Sequence, residues 1–177
     1  MSSFDAIPFF LGTNIRNKEK FEKLCRKKKF KEGEIIIDFD DNSSEVGFIL
    51  SGSLRILVRN AAGKEMIFGD FSEGKFIGEM SAIDGRHRSA NVTAITNCEI
   101  FIVPNNVFCE ICFQEPEISK RLLLLFSDRI RDLNNRLFER TVLDIRHRLY
   151  SELLRMGVKR KEDNSQLIIS PPPYQHD

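Results

Sequence analysis

The stretch FIGEMSAIDGRHRSANVTA, Phe76 to Ala94, decides how this chain is read. Gly78 and Glu79 stand before a short apolar turn, and Arg88, Ser89 and Ala90 stand before an alternating strand. A glycine lets backbone approach a ligand closely, and the N–H groups near Met80 and Ser81 open a helix toward an anion. Arg88 offers a fixed fork of donors for phosphate oxygens, Ser89 adds a hydroxyl, and Glu79 can accept from sugar hydroxyls. The segment therefore predicts a pocket for a small phosphorylated ligand. Its fragments also have a plainer reading, because GE and RSA are common dipeptides and a glutamate and an arginine nine residues apart often pair on a surface.

Outward from this segment the apolar period is two. EIIIDF, EVGFIL, SLRILVR, EMIFGDF, NVTAI and EIFIVP are short strand candidates separated by Gly, Asn, Asp and Ser. Ala61-Ala62-Gly63-Lys64 reads as the hairpin turn between two of them. So many short strands at near-regular spacing predict a sandwich or roll, with β-branched and phenylalanine positions as its core. Before the strands, Ala6 to Lys29 reads as helical, and Arg26-Lys27-Lys28-Lys29 reads as a solvated helix end.

From Asn105 the helical period returns. Phe126, Ile130, Leu133 and Leu137 step four, three, four, which draws one apolar seam along a helix from about Ile118 to about Thr141. The opposite face carries Asp128, Arg131, Asp132, Asn135 and Arg136, which favours a second helix as the seam's partner. A further helix, DIRHRLYSELLRMGV, ends near Gly157, and a short apolar strand, Gln166 to Ile169, precedes three prolines.

Composition excludes several classes. A formal net charge of +1 with 30% charged residues advertises no global basic field for nucleic acid. The opening MSSFDAIPFFLG lacks a basic leader, and no apolar run is long enough to span a bilayer, so a cytoplasmic setting is expected. His87, His147 and His176 lie far apart with no nucleophile pairing, which argues against catalysis. Cys109 and Cys112 form a C-x-x-C pair without the second pair that a zinc site needs, so these thiols, with Cys25 and Cys98, read as structural and no metal is expected.

The order F-x-G-E, a short apolar helix, then R-S-A-x-V-x-A resembles the phosphate-binding cassette of the cyclic-nucleotide-binding domain. KEGEIII, FILSGSLRILV, GKEMIFGDFSEGKFIGEM, RSANVTAITNCEIFIVP and LDIRHRLYSELLRM extend the likeness to the cyclic-AMP receptor protein and fumarate-nitrate regulator superfamily of bacterial transcription factors. The resemblance implies an α+β fold: an antiparallel β-roll of jelly-roll type, with N-terminal helices and a long C-terminal dimerisation helix. It implies three regions: the roll over 1–116, the dimerisation helix over 117–142, and the start of a DNA-binding domain over 143–177. YQHD resembles the opening of the family's helix-turn-helix, which is otherwise absent, so the chain reads as truncated and DNA is a partner of the full-length protein only.

By the same resemblance, Gly78, Glu79, Met80, Ser81, Arg88 and Ser89 hold the sugar and phosphate of a cyclic nucleotide, cyclic AMP first and cyclic GMP second. Arg129 occupies the position of an arginine that supports the site from the long helix. Leu133 and Asn134 replace a Thr-Ser pair that meets adenine, and the Asn134 amide can still bond the base edge. The expected function is effector sensing in a homodimeric regulator, relayed by the seam helix. The alternatives are a regulatory module of another signalling protein, a family member with a different effector, a sensor that has lost nucleotide binding, and a cupin-like metal-binding roll.

Overall fold

A computed structural model describes residues 3–39, 41–59, 65–159 and 166–169. The six strands expected from period two all form, as β2 (Ile35–Ile37), β3 (Val46–Ser51), β4 (Ser53–Arg59), β5 (Glu65–Ser72), β7 (Asn91–Ala94) and β8 (Cys98–Val103). Two more join them: β1 (Arg26–Phe30) and the two-residue β6 (Phe76–Ile77). Pairing is antiparallel throughout, in two four-stranded sheets of order β1-β8-β3-β6 and β2-β7-β4-β5. This is the expected α+β roll. The expected Ala61–Lys64 turn and the three prolines lie outside the described residues.

Strand alternation explains the core. Ile49, Ile77, Ile100 and Ile102 of the first sheet meet Leu54, Val92 and Ala94 of the second, with Phe30, Ile37 and Cys98 completing the cluster between the sheets. On the outer face of the first sheet, Phe48 and Phe76 pack against Phe9 and Phe108, and Phe101 against Phe4. With both faces covered, β3 and β8 read as near-continuous apolar runs. Not every phenylalanine is core: Phe39 and Phe68 are exposed, and Phe113 is 89% exposed.

The N-terminal expectation is corrected. Ala6 to Lys29 is not one helix but short 3-10 turns at Ser3–Ala6 and Pro8–Phe10, the five-residue α1 (Lys18–Glu22), and then strand β1. Gly12 at φ 72° and Asn17 at φ 56° take left-handed conformations that no helix interior accommodates. Arg26 to Lys29 therefore lies on an edge strand paired only with β8, not at a helix end. A row of cations on an unpaired edge discourages further strand addition.

The C-terminal helices form as expected: α4 (Pro116–Val142) after α3 (Asn105–Gln114), then α5 (Ile145–Met156) with Asp144 accepting from the His147 N–H as its N-cap. β9 (Val158–Lys159) and β10 (Leu167–Ile168) follow and pair antiparallel. The chain divides into two compact units within α4, between Leu123 and Leu124. In the first unit, Arg121 donates to the carbonyls of Phe9 and Leu11 at 2.9 and 2.8 Å, tying the N-terminal turns to the start of α4. Among the described residues no helix is long and apolar enough to cross a membrane.

Candidate functional site

The cassette folds as the spacing required. β6 delivers the chain to Gly78, which sits at φ 81° and caps the six-residue helix α2 (Glu79–Asp84). Gly85, again left-handed, ends that helix, and an irregular loop carries Arg88 back to β7. Only glycine fits at position 78: a Cβ there would approach the Glu45 carbonyl oxygen to 2.7 Å and collide with the Arg88 guanidinium.

Among the described residues, the buried polar or charged ones are Glu79, Ser81 and Arg88, and all three belong to this cassette. Burying an ionised group costs several kcal/mol unless it is paired and hydrogen-bonded. The structure meets that requirement at Arg88. Its Nη1 donates to Gly78 O at 3.0 Å, its Nη2 to Glu45 O and Ser43 Oγ at 2.9 Å each, and its Nε to Ser43 Oγ at 3.2 Å. Burial lowers the Arg88 pKa from its ordinary value, and Asp41, Glu45 and Glu79 oppose that shift.

The other expected residues are placed as follows. Glu79 is buried in the first turn of α2, and Met80 beside it is half exposed. The Ser81 hydroxyl turns inward and donates to His87 O at 3.3 Å, so its side chain braces the loop. Ser89 is exposed, with its hydroxyl 3.7 Å from the Met80 sulfur. Arg86 and His87 are exposed. Arg129 and Asn134 stand on α4 in the second unit, half-buried and exposed respectively.

Sequence reasoning missed Ser43, Glu45 and Asp41, the loop partners of Arg88. Asp41 accepts from the Ser43 N–H at 2.9 Å, and Glu45 pairs with Arg26 at 2.7 Å. DFDDNSSE carries only the signal of a polar turn, and nothing in its spacing points at a residue 45 positions later. A cavity of about 120 Å³ opens between the sheets beside these residues, lined in part by Arg26, Lys28, Ser43, Glu45 and Arg88.

The thiols are free. Cys109 Sγ donates to Ala82 O at 3.2 Å, which ties α3 to α2, and burial pushes Cys112 up to about 12. Among the described residues no cluster of three metal-ligating side chains occurs.

Known proteins resemble this chain along most of its length. The cAMP-activated global transcriptional regulator CRP of Escherichia coli O6:H1 is 28% identical over 140 residues, covering 78% of this chain and 67% of that protein. The catabolite activator protein of Thermus thermophilus superposes with a TM-score of 0.66 at 22% identity, covering 85% of this chain and 72% of the other. The regulatory subunit of a cAMP-independent protein kinase A from Trypanosoma cruzi, solved bound to guanosine, superposes at 0.57 with 20% identity over 86% of this chain and 47% of that one. These two superpositions carry the fold alone. Residues 27–115, half of the chain, match the model of the cyclic nucleotide-binding domain, with the Gly78–Arg88 cassette inside the match, and the chain belongs to that family.

Proposed function

We propose that this chain is the effector-sensing part of a DNA-binding transcriptional regulator, that its effector is cyclic AMP, and that it works as a homodimer in the cytoplasm. The observation that carries the reading is the confinement, among the described residues, of buried polar and charged side chains to Glu79, Ser81 and Arg88. A fold of this size retains such groups where they have a use, because their desolvation is costly. In this reading Arg88 and Ser89 face the cyclic phosphate, Glu79 accepts from the ribose 2′-hydroxyl, and the N–H groups near Met80 and Ser81 face the anion. Arg129 supports the site from α4, and Asn134 bonds the base edge.

Ile130, Leu133 and Leu137 are each more than half exposed in the single chain, and Phe126 is half-buried. An exposed apolar row of this length supports a second α4 as partner. Ligand bound at both the roll and α4 would shift the helix pair between two arrangements by its difference in affinity for them. The reaction asked of the chain is binding, with no bond made or broken.

Calorimetric titration of the chain with cyclic AMP and cyclic GMP tests the reading. Saturable binding of cyclic AMP, tighter than of cyclic GMP, is expected, and binding of neither would sink it. A second reading is a signalling module with another effector, for which the guanosine of that structural neighbour supplies a ligand to titrate. Tighter binding of guanosine than of either cyclic nucleotide would favour it.

A further inference from the structure

The Arg88 guanidinium reaches across to a loop that the cassette motif does not contain. Ser43 lies between β2 and β3, and its hydroxyl oxygen receives two of the Arg88 donors, Nε at 3.2 Å and Nη2 at 2.9 Å. A hydroxyl has one proton and two lone pairs. With both lone pairs turned to Arg88, the hydroxyl proton points away from the guanidinium, and Asp41 accepts from the Ser43 main-chain N–H at 2.9 Å. Asp41 thus holds the Ser43 backbone, and the Ser43 hydroxyl fixes the guanidinium plane.

The loop that carries Ser43 is itself anchored. The Glu45 carbonyl accepts from Arg88 Nη2, while the Glu45 carboxylate takes Arg26 of β1 at 2.7 and 2.8 Å. The guanidinium is therefore gripped from two sides: Ser43 and Glu45 on the loop, and Gly78 at the head of α2. Four of the five guanidinium N–H groups are held by these acceptors, and the remaining Nη1 N–H meets an anion only while the plane is set.

We propose that Ser43 is a positioning residue for the anion subsite, holding the Arg88 fork in the plane from which it meets a cyclic phosphate. The proposal rests on the cyclic-nucleotide reading given above. In this proposal Ser43 acts through Arg88. Its contribution depends on the strength of its oxygen as an acceptor, not on its volume.

The test uses the full chain and calorimetric titration with cyclic AMP and with the Rp and Sp phosphorothioate diastereomers, in which sulfur replaces one or the other exocyclic oxygen. Ser43→Ala is expected to lower cyclic AMP affinity about tenfold, the usual scale for a hydrogen bond to a charged group. It is also expected to change the Rp-to-Sp affinity ratio, because a rotated guanidinium meets the two oxygens unequally. Ser43→Thr keeps the hydroxyl and should stay within about threefold of the unmutated chain. Ser43→Cys fills nearly the same space with a weak acceptor and should resemble Ser43→Ala.

Unchanged affinity in Ser43→Ala overturns the proposal, as does a Ser43→Cys protein that binds like the unmutated chain. So does an equal loss for both diastereomers, which is what a merely structural role produces. Should Ser43→Ala not fold, the Thr and Cys variants carry the same comparison. If the unmutated chain binds no cyclic nucleotide, the functional reading falls and this proposal with it. If it binds and the Ser43 variants do not differ, only this proposal falls.

Discussion

Arg88 Nη1 donates to the carbonyl of Gly78 at 3.0 Å, and the space a side chain would need at Gly78 is the space this guanidinium occupies. The two residues, ten positions apart, are one device: the missing side chain makes room for the cation, and the cation is a second donor to a carbonyl that also accepts from the Ala82 N–H. Neither makes sense without the other.

Gly78→Ala should therefore damage both stability and site. The positive φ alone costs a non-glycine residue roughly 1–3 kcal/mol. The new methyl also pushes Arg88 off its partners, so cyclic AMP affinity should fall together with the thermal midpoint. Differential scanning calorimetry alongside titration would read both.

Arg88→Lys and Arg88→Ala should be nearly equal in loss. Lysine keeps the charge but has three donors on one nitrogen, against the four bonds that Arg88 spreads over Nε, Nη1 and Nη2. Loss of about 10- to 100-fold in cyclic AMP affinity is expected for both. A lysine variant that binds like the unmutated chain would mean that charge alone serves the site.

Leu133→Asp places a charge in the middle of the α4 seam. Sedimentation velocity should show a shift from dimer to monomer, while the roll, whose core lies between β-sheets, keeps its thermal transition. An unshifted sedimentation coefficient in a chain that is a dimer before mutation would place its interface elsewhere.

The half-buried Cys25 and the buried Cys112 set an alkaline limit. Burial and neighbouring negative charge push Cys25 and Cys112 from 9.0 up to about 12, so the folded protein holds these protons where the unfolded chain releases them. A group with a raised folded pKa contributes fully below its unfolded pKa and loses that contribution as pH rises to the folded value. Stability measured by denaturant should thus decline from about pH 9 toward pH 12. Cys25→Ser with Cys112→Ala should flatten that decline. At pH 8, iodoacetamide should label Cys112 far faster after unfolding than before, as read by mass spectrometry.

Much of the molecule was legible in the sequence because its signals are local. Period-two alternation located β2, β3, β4, β5, β7 and β8, and the four-three-four apolar step located α4. The cassette was legible for the same reason, since Gly78, α2, Arg88 and β7 lie on one short run of chain whose turn and strand residues specify their own conformations. Where local rules competed, the reading failed. Arg26 to Lys29 carries helix-compatible lysines, yet its pairing with β8 makes it a strand, and pairing with a partner some seventy residues away leaves no mark on the strand's own period.

By itself, then, the sequence determined a roll, a long C-terminal helix and the local fold of the segment that runs from Gly78 through α2 to Arg88. Only the tertiary structure decided what that arginine touches. Its partners at Ser43 and Glu45 precede it by 45 and 43 residues, in a loop whose composition speaks only of a turn. A buried cation must be satisfied by whatever acceptors the fold brings within about 3 Å of it. That requirement is met by the pairing of β3 with β6, which sets Glu45 beside Gly78, and no spacing within the cassette could express it.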